Sequence, residues 1–382
     1  MKKRFSWAYA LFLLTACSGN FFYGKSNFPE PRELDKGVEQ SAIRTLWQHS
    51  LGEEQSALAL QPVYGDGEIF AISADGHLRS YDAETGAMRL NRALGNNITA
   101  GLSFSQGVIL LGTENGTLLA LDAQTGLPRW QALLSSQALA KPAVGDGLVV
   151  VRTLDGRISA YNVQTGEHLW HYHLPSPALS MRGQASVIVE GGVVLVVTDD
   201  ARLLILDQDN GVALVEERMA VGEGHHRAER MVDIDAQPQL LGDYLFASAY
   251  QKFLMAFDVR RGQWLWKQDL SSALRDFAIV GQEILVFGND RGHLYGLSLR
   301  DGRPLWHVTE LEGRKLSPVV ALGRSQVAVL DFEGYVHQFD AHSGSALGRK
   351  KVADTGADSS PLILGQRLIW QLNNGRLIAL EP

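Results

Sequence analysis

Cys17, the only cysteine of the chain, is the residue best placed to carry a covalent modification. It follows a basic start, an apolar run from Phe5 to Leu14 and two small residues, Thr15 and Ala16. This order is typical of a secretory signal, and the apolar run is too short to span a bilayer. The sequence therefore predicts that residues 1–16 are a signal peptide.

The segment Leu14-Thr15-Ala16-Cys17 resembles the bacterial lipobox. The resemblance implies cleavage before Cys17, followed by diacylglyceryl modification and N-acylation with a fatty acid such as palmitate. Three acyl chains would hold the protein on a membrane almost irreversibly, because each buried methylene contributes about 0.8 kcal/mol. Ser18 stands where an Asp commonly retains lipoproteins in the inner membrane, so the resemblance implies the periplasmic face of the outer membrane. An ordinary signal with an incidental cysteine is the alternative.

Other candidate reactive groups are weaker. His225 and His226 are adjacent in a long insertion, but adjacent histidines on a loop point different ways, and a metal site needs further ligands. The Ser-Gly and Thr-Gly pairs are typical of turns and not of nucleophile elbows, because no helix follows them. We therefore expect no catalytic residues, no metal and no cofactor. The formal net charge of −7 argues against nucleic acid as the main partner.

The elements that must position these groups repeat along the chain. The segment Asp155 to Trp170, DGRISAYNVQTGEHLW, contains an Asp-Gly turn, a strand, a Thr-Gly turn and a strand that ends on Trp. Its two turn glycines are ten residues apart, and the unit recurs about every 40 residues. Such a period indicates radial or solenoid repetition. The copies begin and end at Gly76/Gly86, Gly116/Gly126, Gly156/Gly166, Ala201/Gly211, Lys252/Gly262, Gly292/Gly302 and Gly334/Gly344, and an eighth begins at Gly375.

The two ends of the chain are complementary. The eighth copy stops at Pro382, where a Thr-Gly turn and a Trp strand should follow, whereas Ile43 to Leu51 carries Trp47 without a preceding turn unit. A ring in which the first strand completes the last blade removes the open edge of the array. We predict an all-β, eight-bladed propeller of four-stranded antiparallel blades over residues 43–382. Residues 17–42 are then the lipidated cysteine and its tether.

Each blade has a common sequence plan. A proline lies fourteen residues before the first turn glycine and begins the first strand, and a turn such as Gly65-Asp66-Gly67 predicts a hairpin to the second. The third strand ends on an aspartate that can accept hydrogen bonds from turn amides. The fourth strand ends on a tryptophan that is expected to pack between blades. The prolines are Pro62, Pro142, Pro238 and Pro361; the aspartates are Asp82, Asp122, Asp207, Asp258 and Asp340; the tryptophans are Trp47, Trp130, Trp170, Trp266 and Trp306.

The unit LLALDAQTGLPRW, Leu118 to Trp130, resembles the repeat of pyrroloquinoline-quinone (PQQ)-type propellers. Together with the lipobox, it makes the chain similar to the scaffold lipoproteins of the BAM complex, which inserts β-barrels into the outer membrane. This resemblance implies a non-enzymatic scaffold that binds the barrel-inserting subunit BamA through its periplasmic POTRA domains. It implies that the partner-binding residues are Leu179, Met181, Arg182, Asp233 and Asp235; the family's usual leucine is Met181 here.

The spacing of the repeats points to the same two segments. The distance from one Thr-Gly glycine to the next turn is usually 30 residues but rises to 35 after Gly166 and 41 after Gly211. Both insertions fall in successive connections between blades, so they are expected to share a face, where long loops of a repeat protein usually bind partners. Apolar Leu179 beside Arg182 suits the centre of an interface. An internal pair between Arg182 and Asp233 or Asp235, which would make the cluster a structural clasp, is the alternative.

Two other functions stay open at this point. The repeat is shared with quinoprotein dehydrogenases, so a PQQ-dependent periplasmic oxidoreductase is the alternative to a scaffold. The resemblance to those enzymes implies a calcium site of Glu, Asn and Asp and commonly a cysteine pair, which a chain with one cysteine does not supply. A propeller that binds cell-wall glycan in its funnel is a weaker third option. Quinone and calcium analysis of the purified protein distinguishes the enzyme from the other two.

The lipoprotein prediction rests on Cys17. Wild-type protein is expected to incorporate labelled palmitate, and Cys17→Ser is expected to abolish the label, because the thiol is the acylation acceptor. The measurement is palmitate labelling combined with membrane fractionation. Wild-type protein that takes up no label would contradict the prediction.

Overall fold

The computed structural model describes residues 29–35, 41–52, 60–174, 187–198, 202–218, 237–249, 253–269 and 274–382. Within these ranges the chain forms strands and turns, and no helix with the length and apolarity needed to cross a membrane occurs. Cys17, His225 and His226 lie outside them.

The strands are short and regularly spaced. The first sixteen are β1 (Arg44–Ser50), β2 (Val63–Gly65), β3 (Glu68–Ile72), β4 (His77–Asp82), β5 (Met88–Ala93), β6 (Ile98–Ser105), β7 (Val108–Thr113), β8 (Thr117–Asp122), β9 (Pro128–Leu133), β10 (Ala143–Gly145), β11 (Leu148–Arg152), β12 (Arg157–Asn162), β13 (His168–His173), β14 (Ile188–Glu190), β15 (Val193–Val197) and β16 (Arg202–Asp207). The others are β17 (Ala213–Arg218), β18 (Gln239–Leu241), β19 (Tyr244–Ala249), β20 (Phe253–Asp258), β21 (Gln263–Asp269), β22 (Leu274–Val280), β23 (Ile284–Asn289), β24 (Leu294–Ser298), β25 (Pro304–Val308), β26 (Val320–Leu322), β27 (Gln326–Leu330), β28 (Tyr335–Asp340), β29 (Ala346–Lys351), β30 (Leu362–Leu364), β31 (Arg367–Gln371) and β32 (Arg376–Glu381).

These strands form eight four-stranded antiparallel sheets. Seven sheets consist of four consecutive strands, which we label A to D, so blade 1 is β2–β5 and blade 7 is β26–β29. Strands A of neighbouring blades contact each other, which places them around the axis and strands D at the rim. The predicted eight-bladed propeller is therefore confirmed, including strands A that begin one residue after Pro62, Pro142, Pro238 and Pro361.

The eighth blade is shared between the two ends of the chain. Its strand order is β1-β32-β31-β30, and β1 pairs antiparallel with β32 through Trp47 and Ala379. Blade 1 then packs against it: Arg79 Nη1 donates to the Leu51 carbonyl at 2.6 Å. Ile43 and Leu51 are fully buried at the two ends of this strand. The predicted closure by the N-terminal strand is confirmed.

Each docking tryptophan packs on the second turn glycine of the following blade. A Cβ on Gly86 would lie 2.5 Å from the Trp47 ring, so only glycine fits there. The indole N–H of Trp170 donates to the Gln208 carbonyl of the next blade at 2.7 Å. The same indole-to-backbone bond joins Trp130 to Val163, Trp266 to Leu299 and Trp306 to Ala341.

Three blades lack this tryptophan. In blade 1 its place is taken by Leu90, which packs on Gly126 of blade 2. In blade 4 the tryptophan is replaced by Val215. There, Trp264 of blade 5 packs against the core cluster that blades 4 and 5 share. At Gly348 in blade 7, the small residue lies where the N-terminal segment passes, and the Ser41 amide donates to the Arg349 carbonyl at 3.0 Å. Ile43 then joins the core between blades 7 and 8. The departures from the repeat thus follow from local packing.

The predicted turn aspartates accept hydrogen bonds from turn amides. Asp122 Oδ1 accepts the Thr125 amide at 2.9 Å and its hydroxyl at 2.8 Å. Hydrogen bonds from Arg129 and Thr125 lower the pKa of Asp122 to about 2. The carboxylate therefore stays ionised at neutral pH and holds the turn that contains Gly126, on which Leu90 and Arg92 of blade 1 pack.

Strand direction gives the disk two different faces. Because the strands alternate in direction, the A–B hairpins and C–D turns share one face. The B–C turns and the D–A connections share the other, which we call the inter-blade face. Backbone hydrogen bonds join the two kinds of loop there, as from Leu154 to the Gln137 carbonyl and from Gly313 to the Arg291 carbonyl.

Deleting residues 43–51 tests ring closure. We expect the free energy of unfolding to fall by about 5 kcal/mol or more, because four large apolar side chains and one strand ladder are lost. Urea unfolding followed by tryptophan fluorescence measures it. Deletion of residues 18–28, which leaves β1 in place, is the control; equal stability of both truncated proteins would contradict closure by β1.

Candidate interaction face

The two longest connections of the propeller are neighbours. Fourteen residues lie between β13 and β14 and 20 between β17 and β18, against 4 to 12 in the other six D–A connections. They join blade 3 to blade 4 and blade 4 to blade 5. Since every D–A connection lies on the inter-blade face, both belong to that face, as the sequence predicts.

The predicted partner-binding residues fall inside these connections but outside the described residues. Leu179, Met181 and Arg182 lie within 175–186, and Asp233 and Asp235 lie within 219–236. The residues that flank them are well fixed. Val187 is buried, and the Gln237 amide donates to Asp276 Oδ1 at 2.7 Å. The propeller therefore holds the bases of both connections in place on one face.

A ring of polar residues surrounds the axis at the same face. The side chains that precede strand-A prolines meet there: Lys141 Nζ donates to Gln61 Oε1 at 3.3 Å, and Gln61 Nε2 donates to the Pro361 carbonyl at 3.3 Å. Ser360 donates to Asp276 Oδ2 at 3.0 Å. The first and the third of these bonds join blades that are not neighbours in the ring, and the second joins blades 1 and 8, so together they brace the mouth of the central channel.

The channel mouth does not fit the cofactor site of quinoprotein dehydrogenases. Asp276, a carboxylate of this ring, accepts hydrogen bonds from the Gln237 amide and from Ser360. The calcium ligands that the resemblance implies for the enzymes are instead Glu, Asn and Asp. Burial lowers the pKa of Lys141, and the charge of Asp276 opposes that shift. Across the described ranges, no group of three His, Cys, Asp or Glu side chains could hold a metal ion.

A polar hollow lies on the inter-blade face over blades 1 to 3. It is lined mainly by Asp75, Asn97, Glu114 and Gln137. Asn97 donates to Glu114 Oε2 at 2.7 Å, and Gln137 donates to the Glu114 carbonyl at 2.7 Å. A hydrogen bond from Ser73 lowers the pKa of Asp75. The hollow therefore presents ionised acceptors on the face that carries the long connections.

A buried ionic cluster, Arg314–Asp331–His337, lies at the inter-blade face of blade 7. Arg314 Nε donates to Asp331 Oδ2 at 2.7 Å, and His337 Nε2 lies 2.9 Å from the same oxygen. The exposed fractions of the three side chains are 4%, 0% and 5%. Arg314 also bonds Glu333, which is half exposed. A buried guanidinium of this kind is retained only where its donors are satisfied.

The sequence contains a signal for this cluster that the repeat analysis missed. Three residues before the first turn position of the repeat, blades 1 to 4 place a hydroxyl: Thr198 Oγ1, for example, accepts the Arg202 amide at 3.0 Å. In blade 7 this position is Asp331, whose Oδ1 accepts the Tyr335 amide at 3.0 Å. The second oxygen is then available for Arg314 and His337. An acid at a hydroxyl position of the repeat thus marks a blade with an added role.

Comparison with known proteins places this architecture in a family. A family model described as outer membrane protein assembly factor BamB matches residues 89–308 and 290–382. The outer membrane protein assembly factor BamB of Pseudomonas aeruginosa is 40% identical over 380 residues, 98% of each chain.

Two solved structures bear on the fold. The crystal structure of BamB from Moraxella catarrhalis is 26% identical, with a TM-score of 0.80 over 89% of this chain and 100% of that one. Quinohemoprotein alcohol dehydrogenase from Comamonas testosteroni gives a TM-score of 0.70 over 88% of this chain and 76% of the enzyme. At 12% identity, the second similarity shows the fold alone.

The ionic cluster gives stability a pH dependence. Burial would raise the pKa of Asp331, but hydrogen bonds and charge from His337, with the Tyr335 amide and Arg314, outweigh it, and the net pKa is lowered. The carboxylate therefore stabilises the fold above its unfolded pKa of about 3.9, and the contribution is lost as pH falls through the folded pKa. Asp331→Asn is expected to lower the free energy of unfolding by about 3 kcal/mol at pH 7.

Urea unfolding of wild type and Asp331→Asn at pH 7 and pH 3 measures this dependence. The difference between the two proteins should narrow at pH 3. Asp354→Asn is the control, because the ion pair between Asp354 and Lys351 is exposed and should contribute less than about 0.5 kcal/mol. The prediction would be wrong if wild type and Asp331→Asn differed in their free energy of unfolding by the same amount at pH 7 and at pH 3.

Proposed function

Since the chain belongs to the BamB family of outer membrane protein assembly factors, we propose that it is a non-enzymatic scaffold of the machinery that inserts β-barrels into the outer membrane. The observation that carries the proposal is the position of the two longest connections. They are adjacent, they share the inter-blade face, and the rigid strands of blades 3 to 5 fix their ends. Binding residues on loops held by a rigid frame are the usual arrangement in repeat proteins.

The partner in this proposal is BamA, bound through its periplasmic POTRA domains, with the remainder of the BAM complex. Leu179 and Met181 are the apolar anchors, and Arg182 offers five donors for carboxylates or backbone carbonyls of the partner. Asp233 and Asp235 supply acceptors from the neighbouring connection. Apolar anchors beside an arginine are the composition of interface centres.

The anchor in this proposal is the lipidated Cys17 at the periplasmic face of the outer membrane, after removal of residues 1–16. Residues 17–42 tether the propeller, residues 43–382, to the membrane. A lipid anchor confines the scaffold to the surface where barrels are inserted. Confinement raises its effective concentration near a membrane-bound partner without any further contact.

The absence of enzymatic activity is part of the proposal. It is supported by the channel mouth, where Lys141 binds Gln61 and Asp276 binds the Gln237 amide and Ser360. The ring includes neither the paired carboxylates of a general acid–base site nor the ligand set of a quinone site. The structural similarity to dehydrogenases is compatible with this proposal, because one fold supports many functions.

The partner interface is tested by Leu179→Ala, Arg182→Glu and Asp233→Ala. Each is expected to reduce co-purification of BamA at least about tenfold, because truncation of a central anchor costs 2 kcal/mol or more. The melting temperature should stay within about 2 °C of wild type, since the changes lie in connections outside the blade cores. Quantitative pull-down and thermal unfolding of the same preparations measure both.

A matched control is Leu127→Ala, which removes a half-exposed leucine from the opposite face. It should leave BamA binding unchanged. The contrary outcome is a lowered melting temperature with binding kept by the folded fraction, which would make the cluster an internal clasp between Arg182 and the two aspartates.

A further inference from the structure

The segment Pro29–Asp35, which we call the strap, is packed against the propeller. The Arg32 amide donates to the Glu312 carbonyl at 2.9 Å, and Arg314 Nη1 donates to the Arg32 carbonyl at 3.1 Å. Leu34 packs against the core cluster of blades 6 and 7. The guanidinium of Arg349 bonds the Asp35 carbonyl. Residues expected to serve only as a tether therefore have fixed backbone partners.

The residue opposite the strap backbone is a glycine. Gly313 has a φ of +74°, and a Cβ there would come within 2.6 Å of the Glu30 carbonyl and 2.7 Å of the Pro29 carbonyl. A side chain at position 313 would therefore push the strap away. The close approach shows that the surface between blades 6 and 7 is shaped to receive the strap backbone.

The buried ionic cluster fixes the position of Arg314, the residue that donates to the Arg32 carbonyl of the strap. Arg314 is held by Asp331 and Glu333, so its third hydrogen-bonding edge points at the strap. Rotation of a guanidinium fixed by two carboxylates is costly. The cluster that the sequence places at an atypical repeat position thus serves as the latch of the strap.

The strap changes the reach of the lipid anchor. If the chain were held only from Ser41 onwards, the path from Cys17 would span about 80 Å when fully extended. With the strap docked from Pro29, only residues 17–28 remain, and the extended path falls to about 40 Å. The path then starts on the inter-blade face at blades 6 and 7.

We propose that the strap and its latch set the orientation of the propeller on the membrane, with the sector of blades 6 and 7 nearest to the bilayer surface. This inference rests on the proposed lipidation of Cys17 for the membrane, whereas the docking of the strap rests on the contacts above. The strap would then orient the disk before any partner binds.

Docking is tested by tryptic cleavage of the Arg32–Glu33 bond in the mature chain carrying Cys17→Ser. Gly313→Ala is expected to speed the appearance of the fragment that begins at Glu33 by about fivefold or more, because the strap is displaced. Gly323→Ala is the matched control: its φ is +62°, but nothing lies within 4 Å of its Cβ. Leu34→Ala, which alters the strap alone, should also speed cleavage. Equal rates in all four proteins would overturn docking.

Orientation is tested on lipidated protein in phospholipid vesicles that contain a headgroup quencher. Leu347→Cys in blade 7 and Leu169→Cys in blade 3 occupy equivalent repeat positions on opposite sides of the ring and are 42% and 43% exposed. A fluorophore at position 347 should be quenched more strongly than one at 169, and Gly313→Ala should reduce the difference. Equal quenching would overturn the orientation. Protein that fails to bind vesicles would instead overturn the lipid anchor, while the cleavage rates would still decide docking.

Discussion

The pairing of β1 with β32 is the constraint on which the rest of the structure depends. Seven blades are continuous in sequence, and this antiparallel pair completes the eighth sheet from the two ends of the chain. An open array would expose the edge of blade 8 and one flank of blade 1, including the surface that Trp47 covers on Gly86. Closure therefore makes the inter-blade face a rigid, continuous surface, on which neighbouring connections keep fixed separations.

The contact between a strand-D tryptophan and a turn glycine recurs between blades, and the blades that depart from it differ in their local packing. At five interfaces the tryptophan of strand D packs on a glycine of the next blade. Val215 breaks this rule beside the longest connection, and Trp264 fills the space from the other side. Gly348 breaks it where Ser41 enters the ring. The third exception, Leu90 of blade 1, packs on Gly126 in a regular part of the repeat.

The repeat made the fold predictable, because turn glycines, docking tryptophans and complementary ends all follow from spacing. It also located the two long connections, since length is visible in sequence. It did not reveal Arg314 and Asp331 as partners, because one lies in a connection of variable length and the other at a position that varies between copies, with a hydroxyl in blades 1 to 4 only. It did not reveal the docked strap either, since a polar segment with two prolines reads as a free tether, and its contacts are made by backbone groups.

Contacts, and not topology, place the strap on the inter-blade face. Strand D of every blade runs towards the inter-blade face, so β1 is entered from the opposite side of the disk. The strap lies beyond that entrance, bonded to Glu312 and Arg314 in a D–A connection, and the chain passes Arg349 between the two positions. Arg349 lies directly after Gly348, the residue that stands in place of the docking tryptophan. Its bonds to both Asp35 and Ser41 therefore link the strap to the strand that closes the ring.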